Sequence, residues 1–73
     1  MTGRLQIKAA RALLDWTQAD LAQAANVGLS TLADFERGAR EPIRAVMASI
    51  LVALTHEGIR FVPGGVILER RES

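Results

Sequence analysis

Apolar positions recur at helical spacing four times along this chain, and the spacing then changes. Ile7, Ala10, Arg11 and Leu14 fall on one face, and Leu5, Ala9 and Leu13 widen the apolar region sideways. The pattern predicts a first helix from Thr2 or Gly3 to about Leu14, carried by the strong helix formers of Ala9-Ala10-Arg11-Ala12-Leu13-Leu14. Asp15-Trp16 breaks it. Thr17 is placed to cap a second helix, and Asp20 stands at the reciprocal capping position. Trp16 before the cap and Leu21 after it occupy the two staple positions. The second helix therefore begins at Gln18 and turns Leu21, Ala22 and Ala25 inward. Asn26-Val27-Gly28 ends it, because Asn tolerates a left-handed turn and Gly28 can cap the next helix. That third helix carries Leu32 and Phe35 inward at i and i+3, and Gly38 closes it.

Ala39-Arg40-Glu41-Pro42 reads as a loop. Proline suits the first turn of a helix and disfavours helix in the residue before it, so a fourth helix starts near Ile43 or Arg44. Val46, Met47, Ile50, Leu51 and Leu54 form its broad apolar face, with His56 in the last turn and Gly58 just past the end. Beyond Gly58 the period shortens. Ile59-Arg60-Phe61-Val62 and Val66-Ile67-Leu68-Glu69-Arg70 are rich in β-formers, and Pro63-Gly64-Gly65 supplies turn residues between them. These predict a β-hairpin with Pro63 at the first turn position and glycine where φ must be positive. Arg71-Glu72-Ser73 reads as a frayed end. The fold class is mainly α with a C-terminal hairpin. The expected division is residues 1–58 as a helical domain and residues 59–73 as an appended hairpin.

Composition narrows the class. At 73 residues the chain is one domain with a low burial fraction, so a second copy would help its stability. Nearly half the residues are apolar, which supplies a core, but none of the apolar runs approaches the roughly 18 residues of a membrane span. The longest candidate, Ile50-Leu51-Val52-Ala53-Leu54, is far too short. No secretory layout is visible at the N-terminus. The absence of cysteine excludes disulfides and thiolate metal sites and agrees with an intracellular, cytoplasmic setting. A net charge of +1 gives no general basic footprint.

Three words of the sequence, taken together, are more specific than any helix spacing. They are Arg11-Ala12-Leu13-Leu14-Asp15-Trp16-Thr17-Gln18-Ala19-Asp20-Leu21-Ala22, Asn26-Val27-Gly28-Leu29-Ser30-Thr31-Leu32 and Phe35-Glu36-Arg37-Gly38. They resemble the lambda-repressor-like (Xre/Cro-type) helix-turn-helix family, over roughly Ile7 to Leu54. The resemblance implies a compact bundle of four or five helices that binds duplex DNA as a symmetric dimer. It implies that Gln18 contacts a DNA phosphate, and that Arg11 and Glu36 form a partly buried salt bridge between helices 1 and 3. Leu29, Ser30, Ala33 and Asp34 then occupy the groove-facing positions of the recognition helix. Arg37, Arg40 and Arg44 fall where relatives touch the backbone. The expected regulator acts by occupying a palindromic site, in the manner of a repressor, within the cytoplasm and against the nucleoid.

The chemistry of these positions is uneven. A helix N-terminus at Gln18 offers free N–H groups and partial positive charge to a phosphate. The groove face is poor in base-matching side chains, with Leu29, Ser30, Thr31, Ala33 and Asp34 in place of Arg, Gln or Asn. Leu29 suits a thymine methyl, Ser30 donates or accepts, and Asp34 accepts from cytosine but repels phosphate. Gly28 takes the place of a Ser or Thr cap, with loss of one possible phosphate contact.

Arg11 and Glu36 read as bracing rather than catalytic, Trp16 as a staple, and His56 as a solvated helix end without a second metal ligand. Gly64-Gly65 is turn chemistry without the lysine and helix of a phosphate loop. No enzymatic constellation, metal or cofactor is expected. The hairpin carries Ile59, Phe61, Val62, Val66, Ile67 and Leu68, and its free edge predicts a dimer interface. The alternative is a protein-interaction module, such as an antitoxin or regulatory subunit, whose groove face binds a partner protein and whose DNA affinity is weak.

Overall fold

A computed structural model of the chain describes residues 3–69. The element order is α1 (Arg4–Leu14), α2 (Gln18–Ala25), α3 (Leu29–Glu36), α4 (Arg44–His56), β1 (Ile59–Val62) and β2 (Gly65–Leu68). Four helices and one antiparallel hairpin are thus present, at the lower end of the expected helix count. Thr2 as a helix start, Arg70 as a strand residue and the frayed end at 71–73 lie outside the described residues.

Local signals explain the helix boundaries. Thr17 Oγ1 accepts from the Asp20 N–H at 3.0 Å, and Asp20 Oδ2 accepts from the Thr17 N–H at 2.9 Å, so the start of α2 is doubly capped. Three helices end on the same paired bonds. The N–H groups of Trp16, Val27 and Ala39 reach back to the carbonyls of Arg11, Ala22 and Asp34 at 2.9, 3.0 and 2.9 Å. This six-to-one closure requires a left-handed residue inside it. Asn26 supplies one at φ 57°, as expected, and Asp15 supplies another at φ 57° where the sequence pattern predicts only a break. Pro42 lies one residue before the extended N-cap Ile43, so it directs the chain into α4 rather than occupying its first turn.

The core gathers one face from every helix. Ile7, Ala10 and Leu14 of α1 meet Leu21, Ala22 and Ala25 of α2, Leu32 and Phe35 of α3, Ile50 and Leu54 of α4, and Ile59 of β1. Leu5 and Leu13 do not join it: they are 64% and 44% exposed, and Ala9 is exposed as well. Only one stripe of α1 faces the other helices, so the sideways extension of its apolar face stays in solvent.

The hairpin is pinned at both ends. Its register pairs Ile59 with Leu68 and Phe61 with Val66, which puts all four side chains on the face packed against the helices. Gly64, at φ 75°, follows Pro63 in the two-residue turn. Gly58, at φ 98°, sits so close to the Glu69 carbonyl oxygen that an added methyl would collide with it. At the turn, Gln6 Nε2 of α1 donates to the carbonyls of Val62 and Gly65, both at 2.8 Å, while Gln6 Oε1 accepts from the Gly3 N–H at 3.0 Å. One side-chain amide therefore ties the start of α1 to the tip of the hairpin.

Candidate nucleic-acid interface

The helix-turn-helix forms because α2 and α3 are both short and each buries its apolar stripe. Leu32, Phe35 and Glu36 point inward from α3. Its other side carries Leu29, half exposed at 50%, with Ser30 exposed and Thr31, Ala33 and Asp34 partly covered. Gly28 is the N-cap of α3 and supplies no side-chain bond, so the free N–H groups of that first turn face outward uncapped. The outward side of α3 thus carries the groove-facing residues expected for it, together with their shortage of base-matching groups.

Asp34 is not a lone negative charge. Arg37 donates to Asp34 Oδ1 at 2.8 Å, one turn along the same face. The pair compensates the repulsion that an unpaired Asp34 would exert on a phosphate. Arg40 and Arg44, on the loop and at the start of α4, are exposed and make no hydrogen bond or ion pair among the described residues.

Behind α3 lies a buried polar network. Glu36 is 1% exposed. Arg11 Nε donates to Glu36 Oε2 at 2.8 Å and Arg11 Nη2 to Glu36 Oε1 at 2.6 Å, a bidentate pair between α1 and α3. Arg11 Nη1 donates to the Trp16 carbonyl at 3.0 Å, and Gln18 Nε2 donates to Glu36 Oε1 at 3.2 Å. Arg11, Glu36 and Gln18 are therefore brought together around one carboxylate. Burying a charge without such partners would be strongly destabilising.

Arg4 has a tertiary role that helical spacing does not reveal. Its Nη1 donates to the Glu36 carbonyl at 3.2 Å, and its side chain lies over Gly38. There it lines an open cleft with Phe35, Ala39 and Arg40. The available signal was its position: a cation in the first turn of α1 opposes the helix dipole, so it needs a tertiary reason to be there.

A comparison with family models matches residues 7–54 to a family described as Helix-turn-helix, the lambda-repressor/Xre type. The matched segment runs through all four helices and covers more than half the chain. The chain belongs to that family. It is a DNA-binding helix-turn-helix regulator, of a kind generally without enzymatic activity. No curated protein matches the chain. Among the described residues, no helix is long and apolar enough to cross a membrane.

Proposed function

We propose that this regulator acts as a homodimer on an inverted-repeat site, repressing by occupancy, in the cytoplasm and against the nucleoid. The observation that carries the proposal is the surface made by the α2 N-terminus, the outer side of α3 and the arginines after it. In this arrangement α3 enters the major groove, Leu29 and Ser30 meet base edges, and Gln18 with the α2 N-terminus holds a phosphate. Arg37, Arg40 and Arg44 grip the flanking backbone, which positions the protein without reading sequence. Gly28, Thr31, Ala33 and Asp34 allow close approach more than they supply hydrogen bonds. Specificity then rests on apolar contact and DNA shape.

The dimer reading rests on the hairpin. Two recognition helices must lie about 34 Å apart to meet successive major grooves. Residues 59–73 are the proposed dimerisation element. In an antiparallel pair every second residue turns its backbone groups outward, and here those of Ile59 and Phe61 on β1, and of Val66 and Leu68 on β2, have no backbone partner among the described residues. Edge pairing with a second copy would satisfy one such row. The side chains of Ile59, Phe61, Val66 and Leu68 already serve the protein's own core, so the interface would use the edge and the outer face, where Ile67 is 39% exposed and Val62 partly so.

Light scattering and selection from random duplexes test the two parts. A mass near twice 7.9 kDa, reduced to one copy by Ile67→Lys, supports the hairpin dimer; a wild-type mass of one copy refutes it. Enrichment of an inverted repeat, with affinity falling steeply in salt, supports the regulator. The half-exposed Leu29 on a groove face with few polar groups favours one competitor, a module that binds a partner protein such as a toxin. Selection that enriches nothing would decide for that module.

A further inference from the structure

The Arg11–Glu36 pair holds α1 to α3, and its third partner gives it a second duty. We infer that Glu36 is a positioning residue for the amide of Gln18, so that the buried pair orients the DNA grip as well as bracing the fold. The inference rests on the proposed phosphate contact of Gln18.

A glutamine amide has two faces of opposite meaning. Turned one way it offers N–H donors to an anion; turned the other way it offers a carbonyl oxygen that repels one. Nothing in α2 itself selects between them. Glu36 does, because an ionised carboxylate only accepts. Gln18 Nε2, not its oxygen, therefore faces Glu36 Oε1, at 3.2 Å. That bond uses one of the two Nε2 protons and leaves the other beside the α2 N-terminus.

The carboxylate can serve as a reference because it is buried and held from several sides. It is 1% exposed and is clamped by Arg11 at 2.8 and 2.6 Å. Arg11 is anchored in turn on the carbonyl of Trp16, the residue just before the Thr17 cap. The chain of contacts thus closes on itself: last turn of α3, last turn of α1, the turn into α2, first residue of α2. Gln18 meets DNA with its rotamer and its amide orientation already chosen, which lowers what must be ordered on binding.

The test is a double-mutant cycle read as affinity at matched salt. Affinity for a duplex of arbitrary sequence, about two helical turns long, is measured by fluorescence anisotropy between about 50 and 200 mM salt. Gln18→Met should weaken binding by about tenfold or more at every salt concentration and leave the log–log slope unchanged, because an uncharged amide donates a hydrogen bond to the phosphate without displacing a counterion. Glu36→Met, which removes the acceptor that a glutamine would keep, should cost the same increment, and Gln18→Met in the Glu36→Met background should add nothing. If Glu36→Met lowers only the melting temperature, with Gln18→Met still costing its full increment, Glu36 braces and does not position. If Gln18→Met leaves the wild-type affinity unchanged, the phosphate contact itself fails, and the inference falls with it.

A measurement on the wild type covers the case in which Glu36→Met does not fold. The two protons of the Gln18 side-chain amide should differ in the free protein: the one held by Glu36 exchanges slowly with water and stays in place when duplex is added, while the other shifts. Two protons that exchange with water equally fast in the free protein would overturn the inference.

Discussion

Replacing Gln6 with alanine would cut the tie between α1 and the hairpin while leaving the apolar core intact. The side chain makes three hydrogen bonds: to the carbonyls of Val62 and Gly65, each at 2.8 Å, and from the Gly3 N–H at 3.0 Å. A protein hydrogen bond contributes about 0.5–1.5 kcal/mol net. The two partly buried bonds to the hairpin therefore contribute about 1–3 kcal/mol, and the exposed one at Gly3 adds little. For a domain of this size each kcal/mol shifts the melting temperature by about 4–8 °C, so a central loss of about 2 kcal/mol lowers it by about 8–16 °C.

Thermal unfolding followed by circular dichroism reads the shift, and Gln6→Glu decides its cause. Glutamate is as good a helix former, and its charge suits a helix N-terminus. If Gln6 matters only as a residue of α1, the glutamate variant is neutral or more stable. If it matters as a latch, the variant is destabilised, because a carboxylate cannot donate to two carbonyls and instead faces them. A Gln6→Glu protein that melts at or above the wild-type temperature would refute the latch.

Thr17→Ala removes one half of the reciprocal cap on α2 and should cost about 1 kcal/mol, or about 4–8 °C in melting temperature; no change would show that Asp20 alone suffices. Asp34→Asn should tighten binding to a duplex of arbitrary sequence by about 1 kcal/mol, the Coulomb energy of a unit-charge pair about 4 Å apart in water, and free Arg37 for a phosphate. Gel shifts at low salt would check this, and weaker binding would place Asp34 against a base rather than beside the backbone. Arg40→Ala and Arg44→Ala should each make the salt slope shallower by about 0.9 without altering which sequences are preferred. A changed preference would mean that the arginine reads bases.

Much of the fold is legible because its decisive signals are local. Thr17 and Asp20 mark the start of α2 three residues apart, and both bonds are present. Asn26 adopts the left-handed turn expected of it, and Pro63-Gly64 turns the hairpin. The Arg11–Glu36 bridge came from the family resemblance, since nothing in the spacing of two charges 25 residues apart requires them to meet. Legibility fails where a contact is set by tertiary placement. Gln6 reaches residues 56 and 59 positions away, and no periodicity records such a bond. Arg4 and the Gln18–Glu36 contact are hidden for the same reason. Leu5 and Leu13 show the converse error, for helical spacing reports which residues could face a core, not how wide a face the neighbouring helices cover.

The groove-facing side of α3 is chemically sparse in the sequence and stays sparse in the structure, but its charge is accounted for. Asp34 is neutralised by Arg37, and the cations Arg4, Arg40 and Arg44 lie on or beside the loop after α3. The affinity of the protein is thus expected to come mainly from phosphates, with selectivity added by Leu29, Ser30 and the shape of the groove.

In the proposed complex, duplex DNA meets the α2 N-terminus, the outer side of α3 and the arginines beyond it. Amide chemical-shift mapping during titration with duplex tests it most directly. The largest shifts should cluster at Gln18, at Leu29, Ser30, Ala33 and Asp34, and at Arg37 to Arg44, with the outer face of β2 unmoved. Shifts concentrated on α4 or the hairpin, with α3 silent, would contradict it.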